Sequence, residues 1–287
     1  IQACAGSLGP IIPPSLTMII YCSLTGLSIG ECFMAGVIPG LIIGLGVAVV
    51  TYFYARRLGI KGDERVPYRE RLTAIKDGIL AIIMPLIIIG GIVSGIFTPT
   101  ESGAIAVIYA LVIGMFVYKE FTYRELPRIF LKAASMTGMA LLIVAGASIF
   151  SWLVAYEKFP KMIITFLTGL TDNKYVIMML LVLFLLFVGM FIETLSATII
   201  CAPILMPVAA QYGIDPIQFA LIMVITLVYA GVTPPVGGVL FITMGIAKAK
   251  MKEALTYLAP YLGIICIVIL LLIFVPQISL LLPRLLF

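Results

Sequence analysis

The chain has 287 residues, of which 63% are hydrophobic and 11% charged, against roughly 45–50% apolar and about 25% charged residues in an average soluble protein. A water-soluble globule is excluded, and several membrane spans of about 20 apolar residues each are indicated. There is no histidine, which removes imidazole metal sites and imidazole acid–base chemistry, and a net charge of +5 bears on membrane topology before nucleic acid.

Ile1 opens inside an apolar segment with no signal peptide, so the expectation is a longer polypeptide with earlier spans ahead of it. The first element, residues 1–25, is interrupted by "AGSLGPIIPPS" at 5–15. Residues 32–55 form a full span, and residues 1–55 are read as a broken helix with its following span. Residues 56–76 hold seven Lys and Arg and are read as a cytoplasmic loop.

Residues 77–173 are read as further spans, at 78–97, 103–118 and 133–156. Within them "FTPTESG" carries a capping box, Thr98 with Glu101, and Pro99 at the first helical position. The stretch 119–132 mixes four basic residues with Tyr, Phe, Leu and Ile; it is either an interfacial amphipathic helix or an ordinary loop. Trp152 and Tyr156 form an interfacial belt, and 157–174 lies on the opposite face.

Residues 174–253 are read as a re-entrant hairpin and a second broken helix. The hairpin has arms of about 15 residues, short for a crossing, meeting at "GMFIETLSAT", 189–198. Non-helical backbone at such depth is tolerated where protein or a cavity surrounds it. Asp215 caps the next helix start. Pro216 to Ala247 is an uncharged stretch of 32 residues, broken by "YAGVTPPVGG" at 229–238. Residues 254–287 complete the chain with a span over 254–283. One face then collects 14 of the 18 Lys and Arg, which assigns it to the cytoplasm.

Pro13-Pro14 falls on Pro234-Pro235, and Pro39 on Pro260, at one offset of 221. The two copies run in opposite directions through the membrane. An inverted repeat of this kind is a plan of secondary transporters, whose ligands bind near the midplane at broken helices. Freed carbonyl oxygens before the prolines suit Na⁺. The helix starts after them present N–H groups and a positive dipole to an anion. Glu193 at the hairpin tip is an intramembrane acid; it ligates Na⁺, carries a proton, or bonds N–H groups at the tip. The five cysteines have no C-x-x-C pair and read as small buried side chains.

With "GSLGPIIPPS", "GIFTPTESGAIAV", "GMFIETLSATIICAPILMPVA" and "GVTPPVGGVLF" in this order, the chain resembles the large, DctM-type membrane subunit of tripartite ATP-independent periplasmic (TRAP) transporters. The resemblance implies an all-α, elevator-type secondary transporter in the bacterial inner membrane, with a re-entrant hairpin and broken helices. It implies Na⁺ as coupling ion and no other cofactor. The partners it implies are a small membrane subunit, a periplasmic binding protein that delivers the substrate, the lipid bilayer, and an organic carboxylate of the C4-dicarboxylate or sialic acid type; nucleic acid is not among them. One sodium site maps to Gly189, Ile192, Glu193, Thr194 and Ser196 at the tip, with Ala230, Gly231, Val232 and Thr233 in the facing break. A second maps to Ser7 and Gly9, with a first hairpin outside this sequence. Ser15, Thr198, Pro234, Pro235 and Gly237 face substrate. The alternatives are a proton-coupled carrier of related architecture, an intramembrane enzyme, against which the lack of His, Ser–Lys or paired acids argues, and a channel.

Overall fold

The computed structural model describes residues 1–60, 66–249 and 251–287; part of the basic segment 56–76 and Lys250 of the segment 248–253 therefore lie outside the described residues. Among the described residues thirteen α-helices follow in order: α1 Gln2–Gly6, α2 Leu16–Thr25, α3 Ile29–Arg57, α4 Tyr68–Val93, α5 Pro99–Val112, α6 Leu126–Tyr156, α7 Phe159–Thr168, α8 Lys174–Phe191, α9 Thr194–Gln211, α10 Pro216–Ala230, α11 Gly238–Ala247, α12 Met251–Phe274 and α13 Gln277–Leu286. A π-helical turn, Ile113–Val117, extends α5. No strand occurs among the described residues, and seven helices among them are long and apolar enough to cross a membrane. The chain divides into two compact units, Gly59–Ile143 and Ile1–Leu58 with Val144–Phe287.

In the unit Gly59–Ile143, α4 starts at Tyr68, inside the segment read as a loop. Its first turns, YRERL, are made of good helix formers apart from Tyr68 and continue the apolar span without a breaker. Tyr109 of α5 donates to the Leu80 carbonyl of α4 at 2.8 Å. The α5 start is the expected capping box: the Glu101 carboxylate accepts from Thr98 N at 2.8 Å, and Thr98 Oγ1 accepts from Glu101 N at 3.3 Å. The basic stretch 119–132 forms no helix of its own. Its first half is a turn in which Thr122 N donates to Glu125 Oε2 at 2.8 Å, and its second half is already the start of α6.

The other unit contains both copies of the repeat. In the first, α1 leads into the break at 7–15, α2 leaves it, and α3 returns. In the second, α10 leads into a break at 231–237, α11 leaves it, and α12 returns. Both Pro-Pro bonds, Pro13-Pro14 and Pro234-Pro235, are cis. α3 and α12 lie antiparallel, as the facing pairs Gly46 with Ile264, Thr51 with Tyr261, and Tyr54 with Tyr257 require. The Thr51 and Tyr261 hydroxyls are 3.0 Å apart. One end of the unit gathers the starts of α1 and α12 with the end of α11, around a cleft of about 270 Å³ that includes Gln2, Met244 and Tyr257. The other end gathers the starts of α8 and α10 with the end of α12, where Gln218 Nε2 donates to the Leu272 carbonyl at 2.7 Å. The first copy thus travels from the α12-start end and the second from the α12-finish end, the inverted arrangement that the proline spacing predicts.

At about 1.5 Å per residue, α12 is about 36 Å long, while α10 and α11 are about 22 Å and about 15 Å. The 231–237 break therefore lies well inside the thickness that α12 crosses. The hairpin of α8 and α9 places its tip beside that break and returns to its own end; its arms have 18 residues each rather than 15, and by length and composition each is long enough to cross a membrane. α10 lies at the centre of this unit, with every residue from Gln218 to Ala230 buried. That position accounts for its lack of charge, because an unpaired ion would be desolvated there.

The span expected over 254–283 is two helices. α12 stops at Phe274, after which Val275 N still reaches the Leu271 carbonyl at 2.7 Å. Pro276, lacking an N–H, then ends the pattern. α13 lies along α3 and buries Ser279, Leu280 and Pro283.

Candidate ion and substrate site

The first break is a series of tight turns: Ser7 N donates to Ala3 O at 3.2 Å, Gly9 N to Gly6 O at 3.2 Å, and Ile12 N to Leu8 O at 2.9 Å. Ser15 closes it. Its hydroxyl donates to the Pro10 carbonyl and accepts from Met18 N at 3.2 Å as the N-cap of α2. α3 presses on the break through glycines. A Cβ at Gly36 would sit 2.5 Å from the Ile11 carbonyl oxygen, and one at Gly40 2.5 Å from Ile12 Cγ1. The carbonyls of Ser7 and Gly9 accept no hydrogen bond among the described residues.

The second break ends α10 in turns at Gly231–Thr233 and starts α11 after Gly237, whose φ of 44° suits the one residue without a Cβ. Val239 N donates to Gly231 O at 3.0 Å, and Thr233 Oγ1 donates to Tyr229 O at 2.8 Å. The carbonyls of Val232 and Thr233 accept nothing among the described residues.

The hairpin tip is tied to this break. Gly237 N donates to Met190 O at 3.1 Å, and Thr194 Oγ1 to Leu227 O at 3.5 Å. Gly189 permits the approach, since a Cβ there would sit 2.6 Å from that of Ala230. Glu193 is the N-cap of α9; its carboxylate accepts from Leu195 N at 2.9 Å and Ser196 N at 3.2 Å. Of the three roles open in the sequence, the structure displays the bonding of tip N–H groups. The carbonyls of Gly189, Phe191 and Ile192 accept nothing among the described residues.

All three pieces meet at one cavity of about 410 Å³. The first break contributes Gly6, Ser7, Gly9 and Pro10, and α2 contributes Leu16 and Thr17. Glu193, Thr194 and Leu195 come from the tip, and Val228 and Val239 flank the second break. Among the described lining residues Glu193 alone is charged. The structure therefore brings Ser7, Gly9, Glu193 and Thr194 to the cavity wall. It places Gly189, Ile192, Ser196, Ala230, Gly231, Val232 and Thr233 at the tip–break junction. Ser15 is 1% exposed with its hydroxyl engaged twice, and Thr198 is fully buried with its hydroxyl donated to Thr194 O at 2.8 Å; neither is among the residues lining this cavity, and nor are Pro234, Pro235 and Gly237.

Thr17 escaped the sequence reading. It is 5% exposed and lines the cavity, and its hydroxyl has no hydrogen-bond partner among the described residues. The available signal was its place in the first turn of the half-helix after Pro13-Pro14. The unpartnered hydroxyls of Tyr21 and Thr226, by contrast, are sealed in helix packing.

Comparison with known proteins gives concordant matches. A family model described as "Tripartite ATP-independent periplasmic transporter, DctM component" matches residues 1–278. The chain is 36% identical to a C4-dicarboxylate TRAP transporter large permease protein of Pseudomonas aeruginosa, over 98% of this chain and 66% of that protein. It is 36% identical to a sialic acid TRAP transporter large permease protein of Vibrio cholerae, over 97% of this chain and 65% of that protein. It is also 36% identical to an isethionate TRAP transporter permease protein, DctMQ, of Oleidesulfovibrio alaskensis, over 97% of this chain and 44% of that protein. The chain thus spans 65–66% of the length of the first two relatives.

Proposed function

Because the chain belongs to the DctM component family of tripartite ATP-independent periplasmic transporters, we propose that it is the transporting part of a large permease that imports an organic carboxylate together with Na⁺. Family membership makes it a multi-pass protein of the bacterial inner membrane, and its relatives are named as permeases, not enzymes. The observation that carries the reading is the cavity where two broken helices and a hairpin tip converge. Free carbonyl oxygens at Gly189, Phe191, Ile192, Val232 and Thr233 lie on the two sides of one junction, the ligand type that a hard cation takes. Helix starts at α2, α9 and α11 meet the same space, the arrangement that favours an anion.

In this reading Na⁺ couples the tip to the break. A cation shared by carbonyls of both draws Gly189–Ser196 against Ala230–Thr233 and firms the wall against which the carboxylate rests. Ser7 and Gly9 supply carbonyls for a second ion. The broken helices and the hairpin move together in an elevator stroke, and the spans in 77–173 serve as scaffold. A periplasmic binding protein delivers the substrate, and a small membrane subunit completes the permease; the longer DctMQ relative supports a joined arrangement of membrane components. The substrates in the relatives' names, C4-dicarboxylate and sialic acid, support an organic acid as the substrate class.

The test is uptake into proteoliposomes holding the complete transporter, with an imposed Na⁺ gradient or an imposed pH gradient. The Na⁺ gradient alone is expected to drive uptake, and Thr233→Ala and Glu193→Gln to weaken Na⁺ dependence. Uptake driven by the pH gradient in Na⁺-free buffer would instead establish proton coupling. Unchanged Na⁺ dependence in both variants would remove the ion site from this junction.

A further inference from the structure

We propose that the start of α2, with the Thr17 hydroxyl, is the subsite that takes the anionic group of the transported carboxylate. This rests on the transport reading above and assigns the contact within the cavity. Three helix starts meet there, but they differ in what they have left to offer. At α9 the Glu193 carboxylate already occupies the N–H groups of Leu195 and Ser196. Around α11, Gly237 N donates to Met190 O at 3.1 Å and Val239 N to Gly231 O at 3.0 Å; Gly238 N and Leu240 N donate to nothing among the described residues, but neither residue lines the cavity.

At α2 the Ser15 side chain takes Met18 N at 3.2 Å and the Ser15 carbonyl takes Ile19 N at 3.1 Å. The N–H groups of Leu16 and Thr17 donate to nothing among the described residues, and both residues line the cavity. Beside them lies the Thr17 hydroxyl, on a residue 5% exposed and without a hydrogen-bond partner among the described residues. Facing the cavity without a protein partner, this hydroxyl is free to donate to a ligand there in place of water. Two backbone donors, one side-chain donor and the positive end of a ten-residue helix thus converge on one position, as anion recognition requires.

The repeat makes the seat one-sided. At the offset of 221, Thr17 corresponds to Gly238, so the second copy has no side-chain donor at that point. A carboxylate finds one polar seat in an otherwise near-symmetric pair of breaks, and the substrate is oriented accordingly. Ser15 has a positioning role: engaged with Pro10 O and Met18 N, it holds the loop so that the α2 start keeps its place at the cavity wall. The described lining residues include no Lys or Arg, so the anion is held by neutral donors and a dipole.

The test uses the complete transporter in proteoliposomes with radiolabelled succinate and radiolabelled N-acetylneuraminate as probes, comparing wild type, Thr17→Ser and Thr17→Val. Wild type is expected to take up one of the two in a Na⁺ gradient. Thr17→Val, which keeps the shape and removes the hydroxyl, is expected to raise KM for that probe by about tenfold with kcat within about twofold, while Thr17→Ser stays close to wild type. A KM unchanged in Thr17→Val overturns the subsite and leaves the transport reading intact. Equal impairment in Thr17→Ser and Thr17→Val assigns Thr17 to packing and also overturns the subsite. A wild type that moves neither anion overturns both.

Discussion

Gly189→Ala is the sharpest probe of the junction between hairpin tip and break. The added Cβ would sit 2.6 Å from Ala230 Cβ, 3.2 Å from Leu227 Cδ2 and 3.3 Å from Leu227 O. Carbon atoms rest comfortably at about 3.5–4.0 Å, and Ala230 is fully buried on a helix that is itself packed on every side. The tip must therefore retreat by about 1 Å. Overpacking of this kind costs about 1–3 kcal/mol; the gain from replacing a glycine inside a helix is the same with the tip docked or withdrawn and does not offset it. If a bound ion has to overcome that penalty, half-saturating Na⁺ rises by about 5–140-fold at about 1.4 kcal/mol per decade. The assay is initial uptake into proteoliposomes against Na⁺ concentration, run beside the double variant Gly189→Ala with Ala230→Gly, which removes the clashing methyl. Partial recovery in the double variant is expected. Wild-type Na⁺ dependence in Gly189→Ala, or no recovery on removing the Ala230 methyl, would refute the idea that the Gly189–Ala230 approach sets the ion site.

Further outcomes follow from single contacts. Gly36→Ala puts a methyl 2.5 Å from the Ile11 carbonyl and 2.8 Å from Met18 Cε; the backbone of the break has to shift, and the thermal midpoint in detergent should fall by an amount matching about 1–3 kcal/mol. Glu193→Ala leaves Leu195 N and Ser196 N without their acceptor and should cost about 0.5–2 kcal/mol of stability, measurable as increased hydrogen exchange at the start of α9, whereas Glu193→Gln keeps an acceptor and should lose less. Thr98→Ala breaks the capping box at α5 and should lower the thermal midpoint by a similar amount while leaving the Na⁺ dependence of uptake unchanged.

The features legible in the sequence are those carried by neighbours along the chain. Pro-Pro with flanking glycine interrupts a helix wherever it stands, because proline has no N–H to give and glycine tolerates the turn. Both breaks, the caps at Thr98 and Asp215, and the shared offset of 221 could therefore be read directly, whereas Glu193 was left with three roles of which capping was one. The alternation of basic and apolar segments likewise declares a membrane protein, since only uncharged stretches enter hydrocarbon cheaply. The end of α12 at Phe274 was less plain, because a proline in an apolar run permits either a kinked span or, as here before Pro276, two helices.

What tertiary structure decided was availability. Ser15, Thr198 and Thr17 look alike in one dimension, each a hydroxyl near a break. Only the folded chain shows the first two bonded to the backbone and the third facing a cavity without a partner. Only it brings Gly189 against Ala230 and the tip against the first break, some 180 residues away in sequence. A side chain's type is written in the sequence. Whether its hydrogen-bonding capacity is spent or free depends on atoms that packing delivers from elsewhere, and binding draws on what is left free.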